Sequence, residues 1–109
     1  MSAGSRQAEL EQRLAAAGLR SSSWGNGPGD TYGEHRHGYD KVLVAAAGSI
    51  TFHLPELGRD VELLSGERLD LPAQTAHAAT VGGDGVTCLE AHLPAGSLPA
   101  EPRHLGEQW

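Results

Sequence analysis

The stretch GDTYGEHRHGYDKVLVAAAG, residues 29–48, decides how the chain is read. From Glu34 to Ala47 it reads as one long strand: β-branched and apolar residues follow a polar, turn-rich lead-in. Side chains two apart on a strand leave the same face. His35, His37, Tyr39, Lys41, Leu43 and Ala45 therefore share one side, and Glu34, Arg36, Asp40 and Val42 share the other. The His35/His37 pair can present two imidazoles to one ion. Zinc, iron, copper, nickel and manganese all accept such ligands, and ligand softness does not choose among them. Asp40 has the wrong parity for a third ligand unless a bulge intervenes. Lys41 has the right parity and the wrong charge.

Outward from this stretch, short strand patterns alternate with turn signals. SITFHL, residues 49–54, puts Ile50, Phe52 and Leu54 on one face and Thr51 and His53 on the other. Pro55 to Arg59 reads as a turn, Val61–Leu64 and Arg68–Leu71 as strands, and His77–Val81 as another. Gly82-Gly83-Asp84-Gly85 reads as a hairpin turn before a last strand, Val86–Leu93. Residues 21–34 read as a loop or irregular edge strand carrying Trp24 and Tyr32. Ahead of them Ser5 can cap a short helix, with Leu10, Leu14 and Ala17 on one face and Gly18 at its end. The helix is a packing element rather than a functional one. From Pro94 the tail reads as extended over the barrel or partly mobile. Fifteen Gly and six Pro, spread along the chain, fit many short strands joined by turns. The pattern predicts an all-β sandwich or barrel, divided as residues 1–22 (helix and lead-in), 23–95 (barrel) and 96–109 (tail).

A chain of 109 residues suits one domain and buries roughly 65% of its unfolded surface. The formal net charge is −6, which argues against nucleic acid as a partner. The longest apolar run, Val42–Ala47, is far short of the ~20 residues of a membrane span. A single cysteine, Cys88, excludes a disulfide framework and a cysteine-rich zinc site. The opening MSAGSRQAEL has no apolar h-region, so a cytoplasmic location is expected.

The motifs resemble those of the cupins. The first cupin motif is Gly, five residues, His-x-His, three or four residues, Glu, six residues, Gly. Gly29, His35, His37, Lys41 and Gly48 stand at those positions, with Lys41 in place of Glu. The second is Gly, five residues, Pro-x-Gly, two residues, His, three residues, Asn. Gly66, Pro72, Gln74, His77 and Val81 match its spacing, with Gln74 and Val81 as departures. The two motifs cover about half the chain. The resemblance implies an antiparallel jelly-roll β-barrel with a short N-terminal helix, often a homodimer. It implies that His35, His37 and His77 hold one divalent transition metal in the barrel mouth, with a small oxygen-rich or carboxylate molecule as ligand. Dioxygenase, lyase and isomerase chemistries all occur on that scaffold, and the fold does not choose among them.

Lys41 is the only lysine beside seven arginines. Unlike arginine, lysine can give up its proton. Lys41 is thus a candidate base, amine or carboxylate anchor, or else a core cation satisfied by an acidic neighbour. Without metal, it becomes the working group, or the barrel is a non-catalytic binding module. Tyr39 shares its parity and is the second candidate catalytic residue, although packing explains it as well. On the last strand Val86, Cys88, Glu90 and His92 share one parity, and the more apolar Thr87, Leu89, Ala91 and Leu93 the other. The apolar set is expected to face inward, which leaves Glu90 and His92 on the surface. If the order is reversed, Glu90 reaches Lys41. His53 reads as an outer-face or rim residue, His104 as solvated, and Cys88 as a small buried residue. Gly25-x-Gly27-x-Gly29 lacks the βαβ context of a phosphate loop. Ser21–Ser23 has no placeable His–Asp partners.

Overall fold

The first helix shows how the chain is held to its barrel. The computed structural model describes residues 3–109. Helix α1 (Ala3–Ala16) begins ahead of Ser5, so Ser5 is not its cap. It ends in a Schellman turn: Gly18, at φ +80°, donates to the Ala15 carbonyl and Leu19 to that of Leu14. Leu10 and Leu14 are fully buried, whereas Ala17 lies exposed beyond the packed stripe. With Leu19 they pack on Val42, Val44, Ala46, Leu89 and Ala91. Each buried leucine contributes roughly 1.5–3 kcal/mol, which a helix this short needs to persist.

The strands are β1 (Ser21–Asn26), β2 (Thr31–His35), β3 (Asp40–Leu54), β4 (Arg59–Leu64), β5 (Arg68–Leu71), β6 (His77–Leu93) and β7 (Arg103–Leu105). They form one antiparallel seven-stranded sheet in the order β1-β6-β3-β5-β7, with β2 also on β6 and β4 also on β3. The sheet folds as a jelly-roll β-barrel because β3 and β6, at 15 and 17 residues, each serve two regions. The first half of β3 pairs with β5 and its second half with β4. The start of β6 pairs with β2 and its end with β1. Their inner faces meet in one core that includes Leu43, Ile50, Phe52, Leu63, Leu69, Val81 and Cys88.

Several sequence expectations change. The predicted strand from Glu34 to Ala47 is broken after His35 and resumes at Asp40. The predicted breaks at Gly48 and at 82–85 are instead bends within continuous strands. Gly48 and Gly85 hold φ of +69° and +74°, and the β3–β6 register shifts on both sides of Gly48. The glycines serve as bends and bulges, not as hairpin turns. Residues 21–26 form a regular strand, and the tail adds β7 to the edge of β5. The end of the chain is clasped as well. Arg13 donates to the Glu107 carbonyl (2.7 Å), Trp109 Nε1 donates to the Gly66 carbonyl (2.8 Å), and the Trp109 ring lies against the guanidiniums of Arg13 and Arg68.

Asp40 is a structural acid, in keeping with its parity. It is buried, and its Oδ1 and Oδ2 accept the Ala73 and Leu98 N–H groups at 2.7 Å each. It therefore ties the loop before His77 and the tail to the start of β3. Burial alone raises its pKa, but the N–H groups of Ala73, Leu98, Gly96 and Ser97 outweigh that and hold the carboxyl below its ordinary value. The stabilisation is thus complete above about pH 4, where an unfolded Asp titrates. It is lost as the pH falls through the lower folded value. Asp40→Asn sets an amide NH2 against an N–H donor. It is expected to cost roughly 1.5–3 kcal/mol and to flatten the acid limb of the stability curve. Urea titrations of both proteins at pH 7 and at pH 3 check this; equal stability at pH 7 would refute it.

Candidate metal centre and its cavity

Three histidines converge at the barrel mouth. His35 ends β2, His77 begins β6 directly opposite it in the register, and His37 lies in the connection to β3. One ligand nitrogen from each lies within 4.8 Å of the others. Second contacts fix two of the rings. His35 Nδ1 donates to the Gly33 carbonyl (2.8 Å) and His77 Nδ1 to the Thr75 carbonyl (2.9 Å). A carbonyl can only accept, so a proton is on Nδ1 of each ring, and in the neutral ring the lone pair is then on Nε2. That is the tautomer a metal-binding histidine takes when its other nitrogen is held by a carbonyl. His37 is placed by its backbone, whose carbonyl accepts the Gln74 N–H at 2.7 Å. Gln74 holds φ +66° where the second motif has Gly, so the turn keeps its shape despite the departure. Burial, then the nearness of Lys41 and His35, lowers the His37 pKa. Burial, offset in part by the Thr75 carbonyl, pushes His77 down to about 4. Both rings are neutral at neutral pH, as metal ligation requires.

Behind the histidines is a cavity of about 270 Å³. Trp24, Tyr32, Leu43, Phe52 and Ala79 form its apolar wall. Its polar groups are His35, His77, Lys41 and Glu90. Lys41 is buried at 8% exposure; its Nζ lies 3.2 Å from His37 Nε2 and 3.5 Å from Glu90 Oε1. Glu90 also accepts from Trp24 Nε1 (3.1 Å) and contacts His92 Nε2 (2.6 Å). Burial works to raise the Glu90 pKa, but the bond to His92, the charge of Lys41 and the Trp24 donor together hold it low.

The sequence reading of the last strand is therefore corrected. Glu90 is a cavity residue. The apolar alternate set, Leu89 and Ala91, faces outward under α1. Both faces of β6 are covered there, so apolarity could not identify the inner one. The available signal was the stripe Leu10/Leu14, which needs an apolar patch outside the barrel. His92 is half-exposed at the rim, and Tyr39 is packed between its ring and that of His37, at 4.3 and 4.9 Å between centroids. Tyr39 is thus beside the site without lining the cavity. His53 is on the outer face, opposite Phe52 in parity, and is bonded to Asp60 and Thr80. His104 is on β7 and bonded to Glu67 (2.8 Å) rather than simply solvated. Cys88 is fully buried, and burial pushes its thiol up to about 12.

No protein-family model and no curated protein matches the sequence. Solved structures do. A chain from the crystal structures of the DMSP lyases RdDddP and RnDddQII is 30% identical over 78% of this chain, with a TM-score of 0.63, and this chain spans 43% of its length. A cupin superfamily protein from Desulfitobacterium hafniense is 18% identical over 70% of this chain and 67% of its own, with a TM-score of 0.61. An oxalate decarboxylase is 21% identical over 72% of this chain and 22% of its own, with a TM-score of 0.60. No helix of the described residues is long and apolar enough to cross a membrane. The strand topology, the motif positions and these neighbours agree: the chain has the small jelly-roll barrel fold of the cupins.

Proposed function

We propose that this cupin holds a divalent transition metal through His35, His37 and His77 and binds a small carboxylate or oxygen-rich molecule in the adjoining cavity. The observation that carries the reading is the convergence of three imidazoles, two of them turned ligand-side inward by their bonds to Gly33 and Thr75. A three-histidine set suffices for a divalent ion and leaves positions open. Such an ion supplies Lewis-acid polarisation of a bound oxygen. The chain's own residues do the rest. Lys41 offers an N–H donor to an oxygen of the bound molecule. Trp24, Tyr32 and Phe52 exclude water around it. At about 270 Å³ the cavity is below the roughly 300–1,000 Å³ of typical small-molecule sites, so it selects small ligands. The lyase and decarboxylase named among the structural neighbours support bond-breaking chemistry on a small carboxylate as the reaction class. Tyr39, stacked against His37 beside the cavity, helps orient that ring. A second reading has one observation in its favour: Lys41 Nζ is already bonded to His37 Nε2, an arrangement in which Lys41 is the working amine and no metal is held.

Elemental analysis of untagged protein, beside a chelator-treated control, separates the two. Close to one equivalent of a transition metal is expected. No metal, and no uptake when Zn(II), Fe(II), Mn(II), Ni(II) or Co(II) is added, would leave the metal-free reading standing.

A further inference from the structure

We infer that Glu90 is a positioning residue for metal binding: it is the counter-charge that draws Lys41 off His37 and frees that ring to ligate. The inference rests on the metal reading above and adds to it how this particular site tolerates a lysine. An imidazole nitrogen has one lone pair. In the structure the pair on His37 Nε2 faces Lys41 Nζ at 3.2 Å. The same pair cannot serve a cation. Lys41 must therefore have somewhere else to place its ammonium, within reach and already built. Glu90 meets both conditions. Its Oε1 is 3.5 Å from Nζ, close enough for an ion pair yet longer than a tight hydrogen bond.

The carboxylate is also fixed in place. Trp24 donates to Oε1, and His92 holds Oε2 from the rim. Both partners of the pair are largely out of water, at 10% and 17% side-chain exposure, so their mutual attraction is only weakly screened. The electrostatics point the same way. A lone ammonium beside the three imidazoles repels a dication. The same imidazoles beside a neutralised Lys41–Glu90 pair do not. Glu90 thus does from β6 part of what a carboxylate at position 41 would do directly. It is not itself in the group of side chains close enough to share an ion.

The test is a double-mutant cycle read by metal affinity. Wild type, Glu90→Gln, Lys41→Met and the double variant are titrated with Zn(II) against a competing chelator and with Co(II) by its visible absorption. Glu90→Gln is expected to weaken binding by roughly 10–100-fold, the scale set by outer-shell partners of metal ligands. Lys41→Met is expected to strengthen it. In the Lys41→Met background the Glu90→Gln change is expected to shrink to within about twofold. An equal loss in both backgrounds overturns the inference, because Glu90 would then act without Lys41. Unchanged affinity in Glu90→Gln overturns it while leaving the metal site intact. If no variant, wild type included, takes up either ion, the metal reading fails and this one with it. Should Glu90→Gln not fold, wild type and Lys41→Met suffice. With only one lysine in the chain, isotope-labelled lysine gives a single side-chain resonance. It is expected to move on Zn(II) saturation, and a resonance that stays put overturns the exchange.

Discussion

His77→Ala is expected to bring metal content down to that of a chelated control. Of the three histidines His77 is the most buried and the only one on the long β6 strand, directly opposite His35 in the register. Removing a direct ligand leaves two imidazoles, so the loss should exceed the roughly 10–100-fold that outer-shell changes produce. Because burial keeps His77 neutral down to about pH 4, its own protonation does not weaken binding across the neutral range. A shared loss of fold is distinguished by melting the metal-free proteins. His35→Ala supplies the contrast, since His35 is exposed and its removal should reduce metal with little cost to the apo fold. Full metal occupancy in His77→Ala would remove it from the ligand set and reopen the site assignment.

Gly48→Ala should produce the largest change in stability. Gly48 sits at φ +69° in the bend of β3. A Cβ there would fall on the Gly85 carbonyl oxygen, 2.8 Å from its carbon and 3.2 Å from Val86 Cα. All of these are backbone atoms of the paired strand, so no side chain can swing away. The left-handed conformation alone costs an L-residue roughly 1–2 kcal/mol. With the clash added, a loss of about 3 kcal/mol or more is expected, in the range kept for strain and overpacking. Thermal melting should show a midpoint lower by at least about 12 °C. A shift of only a few degrees would mean that the two strands can slide apart at the bend at little cost.

The barrel and its cluster of three histidines were legible because they depend on spacing. His35, His37 and His77 stand where the two motifs place them, and the parity of Leu43 and Ala45 against Val42 and Val44 separates the inner core from the layer under α1. Continuity was harder to read. Gly48 and the run Gly82–Gly85 look like turns, and only the register between β3 and β6 shows them to be bends. Glu90 was missed for a different reason. Its neighbours Leu89 and Ala91 are buried by Leu10 and Leu14 of a helix at the far end of the sequence, so local apolarity favoured the wrong face. Charge gave the better clue: a lone lysine with cavity parity needs an acid, and Glu90 shares a face with the buried Cys88.

The two tryptophans sit in different parts of the molecule. Trp24 lines the cavity, donates to Glu90 and meets Tyr32 edge-on at 5.6 Å. Trp109 is at the opposite sort of place, a surface clasp between Arg13, Arg68 and the Gly66 carbonyl. The protein thus carries two intrinsic fluorophores with separate duties. Emission from Trp24 reports occupancy of the cavity, and emission from Trp109 reports release of the chain's end. With Trp109 replaced by Phe, an unlabelled sample becomes its own optical sensor for screening small carboxylates.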